Sequence, residues 1–498
     1  MGIIQRQAIT NTIINYIGVA LGFVNVIIVF PLFLSDEEFG LTRLVLSLLS
    51  VMAQLSSFGV MRIAVKFFPF FRKEQHKNNG LLVLLFLLAI AGSTIISLLY
   101  FLFKDTVLSF YNDDTGLFAA YYYWIPLGVL GMLVFMVFEA FLQSLKKTVF
   151  TNFLRNVGVR IFWLLALLMY YFNYISFYQF MVFYTLAFFT IAFICVIQLI
   201  AIKEFTFDFN AVYFRKRVIK PIVNYGAYTV FSGITLVIVV SVDTLMIGAL
   251  LPDNKLENIA VYAVATYIVS VIMIPNSALS RIASPLLAIK WKAKDLNGVG
   301  EIYQKSALLM LFVGGLIYGA IALNVDNMLA LMKPEYASAK WVIIILGAAR
   351  LFSMSFGINH AILVITKFYR AETFLAIFLL VLVVITNLLL IPLYGIIGAA
   401  TGTAIALTVF NVLLYFYIEV KYHLKPFSIN TLKMLFFGIT AFVPVLFFPK
   451  LIADNHILTM IIKTTLFGIL YFIPVYYFKV SEDVNSLVDK YLSKLKKK

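Results

Sequence analysis

The most regular pattern along the chain is an alternation of long apolar stretches with short polar connections. Fourteen stretches of about twenty apolar residues can be drawn, and each is long enough to cross a bilayer as one helix. The pattern predicts an all-α polytopic membrane protein with about 14 transmembrane helices. The predicted spans are 9–34, 39–60, 81–103, 119–143, 150–172, 178–201, 221–251, 259–279, 306–323, 339–365, 373–391, 396–418, 432–448 and 458–478.

The longest connection on the side of the N-terminus divides the chain after the sixth span. It covers residues 203–220 and carries a cluster of three basic residues. We interpret it as a cytoplasmic linker between a six-helix lobe at 1–202 and a second six-helix lobe at 221–425. Two additional helices at 426–480 and a basic cytoplasmic tail at 481–498 complete the predicted organisation.

Two short matches indicate that the lobes are copies of each other. Pro31 closes the first span and Pro252 closes the seventh, while Arg62-Ile63-Ala64 follows the second span and Arg281-Ile282-Ala283 follows the eighth. Both copies run through the membrane in the same direction. The matches therefore predict a parallel repeat with pseudo-twofold symmetry, which is one of the arrangements found in transporters.

Composition and charge agree with a lipid environment. The chain is 63% hydrophobic and 12% charged, which leaves too little polar surface to cover a soluble globule. The net charge of +16 comes from lysines and arginines that collect on one side of the predicted spans, Arg155 among them, whereas the loops on the opposite side are acidic or nearly neutral. The positive-inside rule thus places both termini in the cytoplasm and makes the charge a topology signal, not evidence of a nucleic-acid partner.

The sequence lacks the motifs of several enzyme classes. It has no Walker A sequence, no dinucleotide-binding glycine pattern and no HExxH or paired-cysteine spacing. The one cysteine, Cys195, lies in an apolar span, and no two of the four histidines have metal-ligand spacing on a helix. We therefore predict a transporter that is not an enzyme, with no catalytic residues, no metal and no cofactor.

A few charged residues at membrane depth are the candidates for a functional site, because an ionised side chain in the bilayer normally faces a cavity or a partner. Arg160 and Arg350 each fall near the middle of a predicted span and are the leading candidates for a cationic cavity. Arg43, Arg62 and Arg281 are further candidates near span ends, where snorkelling to the headgroups is the alternative interpretation.

Two acidic residues also lie inside predicted spans. Asp243 and Glu139 could each bind a coupling ion, or each could form an ion pair between helices, with Arg43 or Arg160 as a mate for Asp243. Arginines in a central cavity would favour an anionic cargo, because a guanidinium binds phosphate through two parallel hydrogen bonds. Sugar contacts would come from ordinary polar residues such as Asn15, Asn25, Gln54, Asn156 and Asn359.

Four stretches of the chain resemble the Wzx-like polysaccharide flippases of the multidrug/oligosaccharidyl-lipid/polysaccharide exporter superfamily. The most specific is Leu390–Thr403 (LIPLYGIIGAATGT), where a Pro-Leu-Tyr-Gly turn between spans eleven and twelve is followed by small residues that let helices pack closely. The others are PLFLSDEEFG from Pro31, DTLMIGAL from Asp243, and Pro334-Glu335-Tyr336.

The resemblance implies two lobes around a central cavity, with spans thirteen and fourteen beside them as a groove for a lipid tail. It implies flipping of an undecaprenyl-pyrophosphate-linked oligosaccharide across the cytoplasmic (inner) membrane by alternating access, for O-antigen, capsule or exopolysaccharide synthesis. Polysaccharide polymerases and other assembly proteins would be partners. The first span lacks both the arginines of relatives that flip the peptidoglycan precursor and the acidic residue of drug exporters.

Two other functions remain open from the sequence. One is a cation-coupled drug or metabolite exporter of the same superfamily, for which a buried acidic residue would be essential. The other is a membrane scaffold or enzyme of polysaccharide assembly, which a large outer loop with clustered arginines would favour. The sign of the cavity charge separates the flippase from the exporter.

Overall fold

The computed structural model describes residues 3–72, 80–111, 116–206, 216–365, 369–447 and 455–495, and the part of the chain that it describes is helical with no strand. Twelve helical segments within these residues are long and apolar enough to cross a membrane. The all-helical, multi-pass membrane class predicted from the sequence is confirmed. The exact number of fourteen spans and the cytoplasmic location of both termini stay predictions.

The eleventh and twelfth predicted spans form one helical segment with a break between them. One membrane segment, Phe374–Tyr422, covers both the eleventh and the twelfth predicted spans. Gly395 interrupts it with φ 59° and ψ −137°, a backbone conformation open to glycine but strained for other residues. The Pro-Leu-Tyr-Gly turn expected from the sequence therefore lies at this break.

The contacts within the chain form two compact units, residues 1–263 and 264–498. The predicted lobe boundaries at 202 and 221 stay a prediction. Much of the predicted linker, residues 207–215, and the last three lysines of the predicted tail lie outside the described residues. The helix that follows the linker begins at Lys216 and packs against the helix of span two, within the first unit.

The first unit contains the following helices: α1 (Ile3–Phe23), α2 (Phe30–Phe33), α3 (Asp36–Ser56), α4 (Val60–Phe71), α5 (Leu81–Leu102), α6 (Lys104–Tyr111), α7 (Leu117–Tyr121), α8 (Trp124–Ser144), α9 (Thr148–Phe153), α10 (Val159–Tyr171), α11 (Phe177–Ala201) and α12 (Lys216–Leu250). Helix α13 (Lys255–Ser270) crosses the boundary between the units.

The second unit continues with α14 (Ile274–Lys292), α15 (Leu296–Ala330), α16 (Ala339–Ser355), α17 (Asn359–Ile365), α18 (Tyr369–Tyr422), α19 (Ile429–Leu446), α20 (His456–Tyr477) and α21 (Glu482–Leu495). Helices α19 and α20, which carry the two additional predicted spans, pack on α15 around a core that includes Met434, Phe467 and Tyr471. A hydrogen bond from Asn324 Nδ2 to Thr464 Oγ1, at 3.0 Å, joins α15 to α20 inside this apolar contact.

Local sequence explains where several helices begin. Ser35 accepts a hydrogen bond from the backbone of Glu38 while Glu38 Oε2 accepts one from the Ser35 backbone, which forms a capping box at the start of α3. Ser176 and Gln179 form a second capping box at the start of α11. Polar caps at these two points let an otherwise apolar chain satisfy its first free N–H groups.

The helix starts also repeat along the chain. Helices α3 and α13 begin at Asp36 and Lys255, and the same separation of 219 residues relates Arg62 to Arg281. It relates the start of α11, Phe177, to the residue that follows the break at Gly395 as well. This recurrence in helix positions agrees with the predicted duplication, which rested on two short sequence matches.

Candidate functional site

A row of side-chain amides fills part of the contact between the first and fifth spans. We call it the amide seam: Asn11 and Asn15 on α1, Asn152 on α9 and Asn156 in the segment that follows α9. Each pair on one helix is four residues apart, so both amides face the same way. Asn152 Nδ2 lies 3.2 Å from Asn11 Oδ1 and 3.0 Å from Asn15 Oδ1, and Asn156 Nδ2 lies 2.7 Å from Asn152 Oδ1.

The amide seam is half-buried, so its amides are in contact with one another without being sealed from their surroundings. Asn11 Nδ2 adds a longer contact of 3.4 Å to Thr148 Oγ1 at one end. Hydrogen bonds between helices in a membrane stabilise the contact by about 0.6 kcal/mol on average and rarely above 2. Such weak pairing can be exchanged for hydrogen bonds to a polar ligand.

Arg160 continues the row one turn beyond Asn156, on α10. Its Nη1 donates to the backbone carbonyls of Gly18, at 2.5 Å, and Asn156, at 2.8 Å. The absence of a side chain at Gly18 makes this approach feasible, because a Cβ there would stand 2.9 Å from Nη1. The backbone therefore holds this half-buried guanidinium at the contact of the first and fifth spans.

A second arginine of the same span forms an ion pair inside the membrane segment. Arg155 Nε donates to Glu139 Oε1 at 2.8 Å, and Arg155 Nη2 donates to Glu139 Oε2. Gln143 Nε2 donates to the same Oε1 at 3.3 Å, and the ring of Phe135 lies 5.4 Å from the guanidinium carbon. Glu139 thus joins α8 to the fifth span through a two-pronged contact.

The sequence indicated Glu139 as a candidate at membrane depth, whereas the positive-inside rule placed Arg155 with the basic residues of the cytoplasmic side. In the structure Arg155 follows the start of α9 by seven residues, which is about 10 Å along a helix axis. A signal was present in the sequence, because Arg155 and Arg160 lie in one membrane segment that begins at Thr148. Only the packing of α8 against α9 shows which carboxylate Arg155 meets.

Both helices of the amide seam contain a π-helical segment, Val24–Val29 in the first span and Leu154–Gly158 in the fifth. Such segments are rare and often occur at functional sites. Asn25 lies in the first of them, 3% exposed, and its Nδ2 donates to the Arg160 backbone carbonyl at 3.1 Å. Its Oδ1 is buried without a hydrogen-bond partner in the described part of the chain.

Two more predicted residues lie in the first unit, near the start of α3 and the end of α12. The guanidinium carbon of Arg43 lies 5.0 Å from the ring centre of Phe30 and 5.1 Å from that of Phe39, so two aromatic faces stabilise its charge. Asp243 is 6% exposed and its Oδ2 accepts a hydrogen bond of 2.5 Å from Tyr262 Oη.

The remaining predicted arginines lie on other helices. Arg62 on α4 and Arg281 on α14 are both exposed, and Arg281 Nε donates to the Ser277 carbonyl of its own helix at 3.2 Å. Arg350 is half-buried on α16 in the second unit. The structure thus brings Arg160 and Glu139 close to the amide seam, while Arg281 and Arg350 belong to the other unit.

The second unit has a smaller amide contact of its own. Asn359 Nδ2 donates to Asn411 Oδ1 at 3.3 Å, and Asn411 Nδ2 donates to Ser353 Oγ at 2.9 Å. Across the ranges that the structure describes, no three residues among His, Cys, Asp and Glu are placed to hold a metal ion.

The helices and the half-buried amide seam define a multi-pass, all-helical membrane protein with hydrogen-bonding groups inside its membrane segments. The chain belongs to the polysaccharide biosynthesis protein family, whose model matches residues 4–291. No curated protein matches the sequence significantly.

Solved structures of several transporters share the fold. The lipid II flippase MurJ, in an inward closed conformation, is 16% identical with a TM-score of 0.69, over 94% of this chain and 98% of that one. An inward-facing multidrug resistance MATE transporter is 12% identical with a TM-score of 0.64, over 84% and 98%. A multidrug/oligosaccharidyl-lipid/polysaccharide superfamily transporter from Pyrococcus furiosus is 12% identical with a TM-score of 0.57, over 84% and 95%.

The expected resemblance is confirmed in that the chain belongs to the polysaccharide biosynthesis protein family and shares its fold with solved flippase and MATE structures. Identities this low speak for the architecture alone, so the cargo must be argued from the site.

Proposed function

We propose that the chain is a flippase that moves a lipid-linked oligosaccharide across the cytoplasmic membrane for polysaccharide assembly. The observation that carries the proposal is the combination of amides with two arginines, Arg155 and Arg160, along the fifth span. Amides match sugar hydroxyls as donors and acceptors, while guanidinium groups match phosphate. A lipid-linked sugar phosphate is the class of molecule that needs both.

The family and the fold support the same function. The chain belongs to a polysaccharide biosynthesis family, and a lipid II flippase is among the solved proteins with the same architecture. A transporter needs no catalytic group, and we assign none. Undecaprenyl pyrophosphate is the lipid carrier that we propose, and a polysaccharide polymerase is the partner that would receive the flipped repeat unit.

The two buried acids favour the flippase over a cation-coupled drug exporter. Glu139 is occupied by Arg155, and Asp243 accepts a hydrogen bond from Tyr262. An exporter of cationic drugs would need a buried carboxylate that is open to its cargo, as an unpaired anion in lipid is costly. The exporter is therefore the alternative that the experiment must separate.

The experiment is deletion of the gene in its native host, with lipid-linked repeat units measured in each leaflet. We expect unpolymerised repeat units to accumulate on the cytoplasmic side and the wild-type chain to clear them. Arg160→Ala and Arg350→Ala should each fail to restore export, while Arg72→Ala, which removes an exposed ion pair with Glu204, should restore it.

Deletion without any accumulation would overturn the flippase, and loss of drug resistance with normal glycan would establish the exporter. If Arg160→Ala and Arg350→Ala both restore export, the flippase function is retained and the two arginines are structural.

A further inference from the structure

The ion pair between Arg155 and Glu139 is unequal in its access to the surroundings. The side chain of Arg155 is 37% exposed, whereas that of Glu139 is 3% exposed. A ligand that approaches from the open side therefore meets the guanidinium first, while the carboxylate lies behind it against α8. An ion pair that served only to join two helices would not need one partner to remain accessible.

The geometry of the pair is also the geometry of phosphate recognition. Arg155 presents Nε and Nη2 to two oxygens of one carboxylate, and the same two donors fit two oxygens of a phosphate group. A phosphate that takes this position must displace Glu139. The displaced carboxylate keeps the hydrogen bond from Gln143 Nε2, so it does not lose every partner.

The position along the chain favours a phosphorylated sugar as the ligand. Asn156 follows Arg155 directly and belongs to the amide seam, and both residues lie in the π-helical segment Leu154–Gly158. A phosphate at Arg155 would therefore lie within one helical turn of the side-chain amides at Asn152 and Asn156. A lipid without phosphate would leave the ion pair intact.

We propose that Arg155 binds the phosphate groups of the cargo and that Glu139 is an internal competitor which occupies the guanidinium until those groups replace it. The proposal rests on the function proposed above and assigns the part of the cargo that this site recognises. Its consequence is selectivity, because only an anion with two oxygens suited to the guanidinium fork and more charge than a carboxylate can take the place of Glu139. Neutral or singly charged lipids are excluded.

The test is direct binding of farnesyl pyrophosphate to the purified full-length chain in detergent, with farnesol as the control for binding of the tail. We expect Glu139→Gln to bind farnesyl pyrophosphate about tenfold more tightly than the wild type, which corresponds to about 1.4 kcal/mol, because the competitor loses its charge. Arg155→Gln should lose the difference between farnesyl pyrophosphate and farnesol. Equal or weaker binding by a folded Glu139→Gln would overturn the proposal.

Two further variants cover the case in which Glu139→Gln does not fold. Arg155→Lys keeps a cation opposite Glu139 but not the fork, so its melting temperature should stay close to the wild type while pyrophosphate binding falls about tenfold. The exchange Glu139→Arg with Arg155→Glu keeps an ion pair but buries the cation, and should not bind. Wild-type binding by either variant would overturn the proposal, whereas the export assay decides the flippase function separately.

Discussion

Replacing Gly18 with alanine should weaken the contact between the first and fifth spans. A Cβ at Gly18 would lie 2.8 Å from Asn156 Cβ, 3.0 Å from the Asn156 carbonyl oxygen and 2.9 Å from Arg160 Nη1. The first two atoms belong to or adjoin the backbone and cannot swing away. Arg160 must then give up its bond to the Gly18 carbonyl, or the two helices must separate.

The magnitude follows from three contributions. Overpacking of a close contact costs about 1–3 kcal/mol, and loss of an interhelical hydrogen bond costs about 0.5–2 kcal/mol in a membrane. Alanine recovers up to about 1 kcal/mol through its helix propensity. The free energy of unfolding should therefore fall by about 0.5–4 kcal/mol, and export should fall with it because Arg160 is displaced.

The assay is the melting temperature of the purified chain by fluorescence-detected gel filtration, with Gly158→Ala as the matched control. Gly158 lies in the fifth span beside the same contact, but a Cβ there would meet nothing nearer than Leu154 Cδ2 at 3.4 Å. The control should be neutral or slightly stabilising. If Gly18→Ala melts at the same temperature as Gly158→Ala, the close approach of Gly18 to Asn156 and Arg160 is not part of the native contact.

Three other substitutions test separate features. Gly40→Val should lower both the melting temperature and the yield of folded protein, because even a Cβ at Gly40 would stand 1.8 Å from the Leu256 carbonyl oxygen, and purification by gel filtration measures the loss. Asn152→Leu removes the central member of the amide seam and should cost about 1 kcal/mol in a denaturant titration, with a larger effect on export than on stability. Asp295→Asn tests a charge at the start of α15. Hydrogen bonds from Lys290 and from the Gly298 backbone lower the pKa of the Asp295 carboxyl. The stabilisation from this carboxylate is therefore present above its ordinary pKa of 3.8 and is lost as the pH falls through the lowered pKa. The variant should melt below the wild type at pH 7, and the gap should close as the pH falls below 3.8 and then through the lowered pKa; a constant gap would contradict this explanation.

The membrane class of the chain was readable from the sequence because the signal for it is local. A segment enters lipid when about twenty consecutive residues are apolar enough, and this property adds along the chain without reference to any partner. The break at Gly395 was equally local, since Pro392 and a glycine with a left-handed φ end one helix and allow the next to begin. Arg160 could be chosen as a candidate for the same reason, by its depth within an apolar run.

The partners of these residues could not be read in this way. The sequence left Arg43 or Arg160 as a mate for a buried acid, and this pairing stays a prediction. The structure adds contacts that the sequence did not indicate, namely two phenylalanine rings beside Arg43 and two backbone carbonyls at Arg160. Arg155 was placed on the cytoplasmic side by the positive-inside rule. This rule counts charges near helix ends, so it does not distinguish a contact with lipid headgroups from an ion pair one or two turns deeper.

Apolar length and basic loops therefore determined that this chain is a helical membrane protein, and its short motifs determined its family. Tertiary structure alone decided which faces of those helices meet. The reason is that lipid selects for hydrophobicity along a segment, while a hydrogen bond between helices depends on rotation and register that no single segment encodes. The amide seam, the two π-helical segments and the pairing of Arg155 with Glu139 all arise at that level.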